Sequence, residues 1–187
     1  MEVKSFEAVA LPADLAMELA RIDRVVWPPP AERTNDPLWL FQWPPDDWPL
    51  PEAPYPPPMA FVTFDGSGRA VGKAWALPRR VRTERGDETV LALAGVAVLP
   101  EFRGGGWGAA MVRRAFGMVD DGRYAWALLQ TGVPDFYRKL GATVLDNPIH
   151  YRLADDPAAR PLLVPYVMVY PADRAPVGTM DILGAPF

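Results

Sequence analysis

The stretch TVLALAGVAVLPEFRGGGWGAA, residues 89–110, decides how this chain is read. Its first half is an apolar run rich in Val and Leu, the pattern of a buried strand, and Pro100 stops it. Arg103-Gly104-Gly105-Gly106-Trp107-Gly108 then leads into an amphipathic helical pattern. That order makes an anion site. Glycines let the backbone approach a ligand closely, and the first N–H groups of a helix lack internal acceptors and sit at the positive end of its dipole. A phosphate is the natural occupant.

Spacing sorts the phosphate-binding alternatives. Gly104, Gly106 and Ala109 satisfy a loose G-x-G-x-x-A dinucleotide pattern, but that motif belongs to an early strand-turn-helix unit with an acidic residue ending the next strand. Here the corner lies mid-chain, and Asp120-Asp121 precede the next strand. A P-loop would need Lys-Ser or Lys-Thr after the glycines, and neither is there. Residues Val96 to Gly108 instead closely resemble the V-x-V-x-P-E-[YF]-R-G-x-G-x-G signature of the GNAT acyltransferases, with Arg103, Gly106 and Gly108 on its core R-x-x-G-x-G. Phe136 to Ala142, FYRKLGA, resembles that family's later F-Y-x-K-L-G-F segment. The resemblance covers Leu91 to Ala142 by motif and the rest by element order. A shorter match at Asp181, Gly184, Pro186 and Phe187 is similar to the C-terminal end of GNAT proteins related to aminoglycoside acetyltransferases.

The resemblance implies an α/β (α+β) fold: a mixed central sheet, flanked by helices and splayed between the strand at Ala92 to Leu99 and the one at Tyr124 to Leu129. Acetyl-CoA or another acyl-CoA would occupy the gap as cosubstrate. Its pyrophosphate would rest on the backbone of Arg103, Gly104, Gly105, Gly106, Trp107, Gly108 and Ala109. Its pantetheine arm would run along Val96, Ala97 and Val98, and Gln130 lies near the place of a cofactor-contacting Asn in relatives. The implied reaction is N-acetyl transfer, with Tyr137 as the proton donor to the departing thiolate. A phenol of ordinary pKa, about 10, suits that role. Some relatives carry a Glu base where this chain has Ala94. The base is therefore open: Glu84 and Glu88, with Asp87, lie at a hairpin mouth and could act through water, and Asp46, Asp47, Asp135 and His150 also remain.

Composition prunes the chemistry. The 187 residues, half of them hydrophobic, suffice for one domain spanning residues 1–187. There is no cysteine and a single histidine, so thiolate nucleophiles are excluded and no metal site is expected. Ser5 and Ser67 are the only serines, near the terminus and in a Gly-Ser-Gly turn, which disfavours a Ser-His-acid hydrolase. The net charge of −4 argues against a nucleic-acid surface and suits a cationic or amine acceptor. No apolar run approaches membrane-spanning length and no leader pattern opens the chain, so a soluble cytoplasmic protein is expected. A small-molecule amine acceptor is the favoured reading; the alternatives are a protein or peptide N-acetyltransferase and a non-catalytic acyl-CoA-binding module. A homodimer is left open.

Along the chain, Val3 to Leu11 reads as a first strand with Phe6 and Val9 toward the core. Pro12 and Asp14 signal a helix in which Leu15, Leu19, Ile22 and Val26 recur at helical spacing up to Trp27. Residues 27–58 are dense in proline and in Trp27, Trp39, Trp43, Trp48 and Tyr55. That composition excludes a long helix and predicts an ordered loop over the acceptor side, with a partner interface or plain packing as alternatives. Met59 to Asp65 and Ala70 to Leu77 read as a hairpin broken by Pro78, after which Arg79-Arg80-Val81-Arg82 continues a solvated edge. Met111, Val112, Ala115, Phe116 and Val119 give the next helix its apolar face, with Arg113 and Arg114 away from it. A parallel strand at Tyr124 to Leu129 follows, then a short helix from Pro134 to Leu140 and strands at Ala142 to Leu145 and Leu163 to Tyr170. His150 reads as a loop residue, and the tail at 171–187 has no usable periodicity.

Overall fold

The computed structural model describes residues 2–28, 55–153 and 156–186. The strands are β1 (Val3–Glu7), β2 (Met59–Phe64), β3 (Ala70–Thr83), β4 (Gly86–Val98), β5 (Ala127–Thr131), β6 (Thr143–Val144), β7 (Ile149–Leu153), β8 (Asp156–Pro161), β9 (Tyr166–Tyr170) and β10 (Met180–Asp181). The helices are α1 (Ala13–Val26), α2 (Trp107–Asp120) and α3 (Pro134–Arg138). All the strands join one mixed sheet, in the order β6-β9-β5-β4-β3-β10-β7-β8, with β2 on β3 and β1 on β2. β4 and β5 are parallel, as their connection through α2 requires; β3 and β4 form a long antiparallel hairpin.

Period-two alternation sorts the sheet onto its two helices. On β3, Val71, Trp75 and Leu77 pack with Leu15, Leu19 and Ile22 of α1. Ala74 and Ala76 face the other way, toward Met111, Val112, Ala115, Phe116 and Val119 of α2. A third cluster, around Val81, Val90, Trp126, Leu128, Met180 and Ile182, fills the far end. Each large apolar side chain so buried contributes about 1.5–3 kcal/mol, and the paired helical and strand stripes hold the layers in register.

Several expectations change. Val9 is 83% exposed, because the first strand ends at Glu7 and a 3-10 turn follows. Pro78 does not break β3, which runs on to Thr83. Pro78 falls between the rungs to β2, which end at Ala76, and the rung to β10 at Arg82, so its missing N–H interrupts neither ladder. The basic run is not a solvated edge as a whole. Arg82 is exposed, whereas Arg79 is fully buried, because the residues after β10 fold over this end of the sheet. His150 lies in β7, not a loop, and pairs with Asp181 of β10 and Pro161 of β8. The tail supplies β10, wedged between β3 and β7. Two-residue and charged strands such as these carry no periodic signal of their own; neighbours on both sides make them strands.

Candidate active site

The ladder between β4 and β5 ends early. Its rungs are Leu91 to Ala127, Ala92 to Leu128 and Leu93 to Leu129. Past Leu93 the register of β4 on β3 jumps, from Trp75 opposite Ala94 to Lys73 opposite Ala97, which places a bulge at Gly95 and Val96. Gly95 has φ 55°, the left-handed region that glycine enters without strain. The bulge turns β4 away from β5. The opening is a cleft of about 870 Å³, bounded by β4, β5, the ends of α1 and α3, and the glycine corner.

At the corner, a 3-10 turn from Pro100 to Phe102 delivers the chain to Gly104 and Gly106, with φ of 82° and 81°. Gly106 caps α2, and the first helical bond runs from Ala110 N–H to Gly106 O at 3.0 Å. The N–H groups of Gly104 to Ala109 accordingly have no backbone acceptor among the described residues. They form a cradle at the positive end of a helix dipole. A Cβ on Gly104 would meet nothing within 4 Å, so the space beside it is open. Arg103 folds back, donating from Nε to Val98 O at 3.2 Å.

Most of the residues expected at the site are brought together here. Val96, Val98, Arg103, Gly104, Gly106, Trp107, Gly108, Ala109, Gln130 and Tyr137 all line the cleft. Ala97 and Gly105 do not: Ala97 points into the α1 side of the core, as alternation demands, and Gly105 sits beneath the Trp107 indole. Gln130 follows the last β4–β5 rung, and its Nε2 is buried without a hydrogen-bond partner among the described residues. An orphaned donor on the wall of a cleft suits a ligand with amide carbonyls.

Tyr137 lies on α3, with its ring buried in the α2-side core and set edge-on to Phe136 at 4.8 Å. Burial pushes its phenol up to about 12, above the ordinary value assumed from sequence. It therefore stays protonated well above neutral pH. Glu84 and Glu88 are elsewhere. Neither lines the cleft, and Glu88 is five residues before Leu93, roughly 16 Å along the strand at about 3.3 Å per residue. Burial works to raise the Glu88 carboxyl, but hydrogen bonds from Thr83, Trp126 and Arg85 outweigh it and hold the group low, the opposite of a useful base. Glu84 sits over Gly178 in the tail. Asp87 is paired with Arg82 and Asp135 with Arg138, both near the surface.

The other end of the cleft is apolar: Val26, Trp27, Leu93, Ala94 and Gly95 form it. Arg103 is the only charged side chain lining the cleft among the described residues. Behind this end a buried ion pair joins Asp23 of α1 to Lys73 of β3, with Nζ 2.8 Å from Oδ1. The signal for it was in the sequence: Asp23 stands on the apolar stripe of α1 and Lys73 on the Val71, Trp75, Leu77 stripe of β3. Trp39, Trp43, Trp48, Asp46 and Asp47 lie outside the described residues.

Residues 39–145 match the family model of the acetyltransferase (GNAT) domain. The chain belongs to the GNAT acetyltransferase family. No curated protein matches its sequence. Solved structures share the GNAT fold at low identity. A GNAT-family N-acetyltransferase, YhbS, from Escherichia coli in complex with CoA aligns with TM-score 0.61 and 18% identity over 97% of this chain and 88% of its own. An aminoglycoside 6'-N-acetyltransferase complexed with coenzyme A aligns with TM-score 0.56 and 16% identity, covering 90% and 96%. A GNAT acetyltransferase from Staphylococcus aureus Mu50 gives TM-score 0.55 and 12% identity over 90% and 98%. As a GNAT protein the chain is an N-acetyltransferase that uses an acyl-CoA, and its free N–H cradle and orphaned Gln130 amide fit that cosubstrate. No helix among the described residues is long and apolar enough to cross a membrane.

Proposed function

We propose that the protein transfers the acetyl group of acetyl-CoA to an amine of a small molecule. The observation that carries this reading is that one cleft joins the N–H cradle of α2, the Tyr137 phenol and an apolar pocket end walled by Trp27. The cosubstrate supplies an activated acyl carbon and a thiolate leaving group. Gly104 to Ala109 hold its pyrophosphate through backbone N–H groups, and the β4 edge freed by the splay, at Val96 and Val98, offers backbone groups to its amide-bearing arm. Tyr137 gives its proton to the departing sulfur as the new C–N bond forms and the C–S bond breaks, and the proton that the acylated nitrogen releases passes through solvent to restore the phenol. No carboxylate lines the cleft among the described residues, and the apolar end penalises an ammonium. The acceptor thus reacts as the free amine, and Ala94 is no obstacle.

A thiol-release assay with acetyl-CoA, run against small amines, aminoglycosides, amino acids and peptides, tests the proposal. Turnover of small amines with peptides inert is the expected result. Turnover of peptides alone would replace it with the protein-acetyltransferase reading, and tight CoA binding without any turnover with a binding module.

A further inference from the structure

The buried pair behind the apolar end has no part in the chemistry above. The side chains of Lys73 and Asp23 are 1% and 7% exposed. Burial raises the Asp23 carboxyl and lowers the Lys73 ammonium, and each partner's charge offsets part of that shift. Such a pair is a poor investment for stability alone, since apolar residues of similar volume commonly serve a fold as well or better. Its contacts point to another task.

Asp23 and Trp27 share the last turn of α1: the Trp27 N–H donates to Asp23 O at 2.7 Å. The Lys73 Nζ that meets the Asp23 carboxylate also lies 5.9 Å from the centroid of the Trp27 ring and 5.4 Å from that of Trp75. It reaches the cleft floor as well. A Cβ on Gly95 would stand 3.2 Å from Nζ and 2.8 Å from Cδ1 of Trp75, so only a glycine lets these groups pack against the bulge. Lys73 therefore grips the end of α1 twice, through a carboxylate and through an indole face. The indole itself is 44% exposed and lines the cleft. A half-exposed tryptophan at a helix end has several rotamers open to it unless something holds it.

We propose that Lys73 and Asp23 are positioning residues for the acceptor, holding Trp27 as a wall on which the acceptor packs an apolar or aromatic portion adjoining its amine. The inference rests on the reading of the Trp27 end as the acceptor side. The chemistry of the wall selects the class: Val26, Trp27 and Leu93 offer apolar surface, whereas a polycationic sugar would call for carboxylates.

The test compares phenylethylamine and tryptamine with aliphatic diamines as acceptors, in the parent and in Trp27→Ala, Lys73→Met and Lys73→Met/Asp23→Leu. The parent should prefer the aryl amines, and Trp27→Ala should remove that preference. Lys73→Met alone strands a buried carboxylate and is expected to unfold readily, so the double variant decides. It should keep the parent's thermal midpoint and acetyl-CoA affinity, keep kcat, and raise KM for aryl amines by on the order of tenfold. A purely structural pair predicts instead that KM recovers with stability. A stable double variant with unchanged KM overturns the positioning role and leaves the proposed function standing. Acceptor kinetics untouched by Trp27→Ala would overturn the placement of the acceptor and the positioning role together.

Discussion

Arg79 donates from Nε and Nη2 to the carbonyl oxygen of Ile182, at 3.0 and 2.8 Å, and from Nη2 also to Ala185 O at 2.8 Å. A buried guanidinium thereby ties the tail to the middle strand of the sheet, with Arg152 and Asp181 adding an ion pair at 2.6 Å nearby. The tail is a structural strap.

Arg79→Ala should accordingly destabilise the protein by about 2–4 kcal/mol, because the Ile182 carbonyl is left buried without its charged donors. Arg79→Lys should recover little, since an ammonium cannot reproduce the planar fork. The urea midpoint measures both, and proteolysis should nick the variant first in the tail. Equal midpoints for Arg79→Ala and the parent would mean that the strap is not needed.

Gly106 caps α2 with φ 81°, a conformation that a branched residue resists. Gly106→Val should remove the rise in thermal midpoint that acetyl-CoA produces in the parent, while NAD should produce none in either protein. A folded Gly106→Val variant that still shows the acetyl-CoA shift would make the corner a structural turn.

Tyr137→Phe keeps the ring and its edge contact with Phe136 but removes the proton. Its kcat should fall by on the order of a hundredfold with acetyl-CoA binding unchanged. The parent's rate should show no loss from phenol ionisation near pH 10, since the group is pushed up to about 12. The same shift bears on stability. A folded pKa raised above the unfolded value stabilises fully below about pH 10, and that contribution is lost as pH rises from about 10 to about 12. Tyr137→Phe should therefore flatten the alkaline fall in stability over that window, as pH-dependent denaturant midpoints would reveal.

Gly95→Ala places a Cβ 2.8 Å from Trp75 and forces an L-residue to φ 55°. A loss of about 1–3 kcal/mol is expected from these two effects together. Because the bulge opens the splay, acetyl-CoA affinity should fall as well; calorimetric titration of the folded variant checks this.

How much of this was legible in residue order depends on the range of the interactions. The strand, corner and helix of residues 89–110 could be read because their signals are local: an apolar run, a proline stop, glycines, then a helical stripe. The FYRKLGA segment likewise brought Tyr137 to the site by resemblance, and the structure places it on the wall of the cleft that Gly104 and Gly106 also line. Glu84 and Glu88 looked like bases because their chain position was near the hairpin mouth. Only the folded strand shows that β4 carries that mouth to the opposite end of the sheet from the cleft. Residues 149–153, 156–161 and 180–181 became strands through their neighbours, since such short or charged segments acquire a ladder only when β3, β7 and β10 meet. Asp23 and Lys73 show the same division. Each is a charge on an apolar stripe that the residue order shows but that drew no reading, and their pairing across fifty residues of chain, with its place behind Trp27 and Gly95, was decided by the packing of α1 on β3, because a buried charge is tolerated only where the tertiary fold delivers its partner.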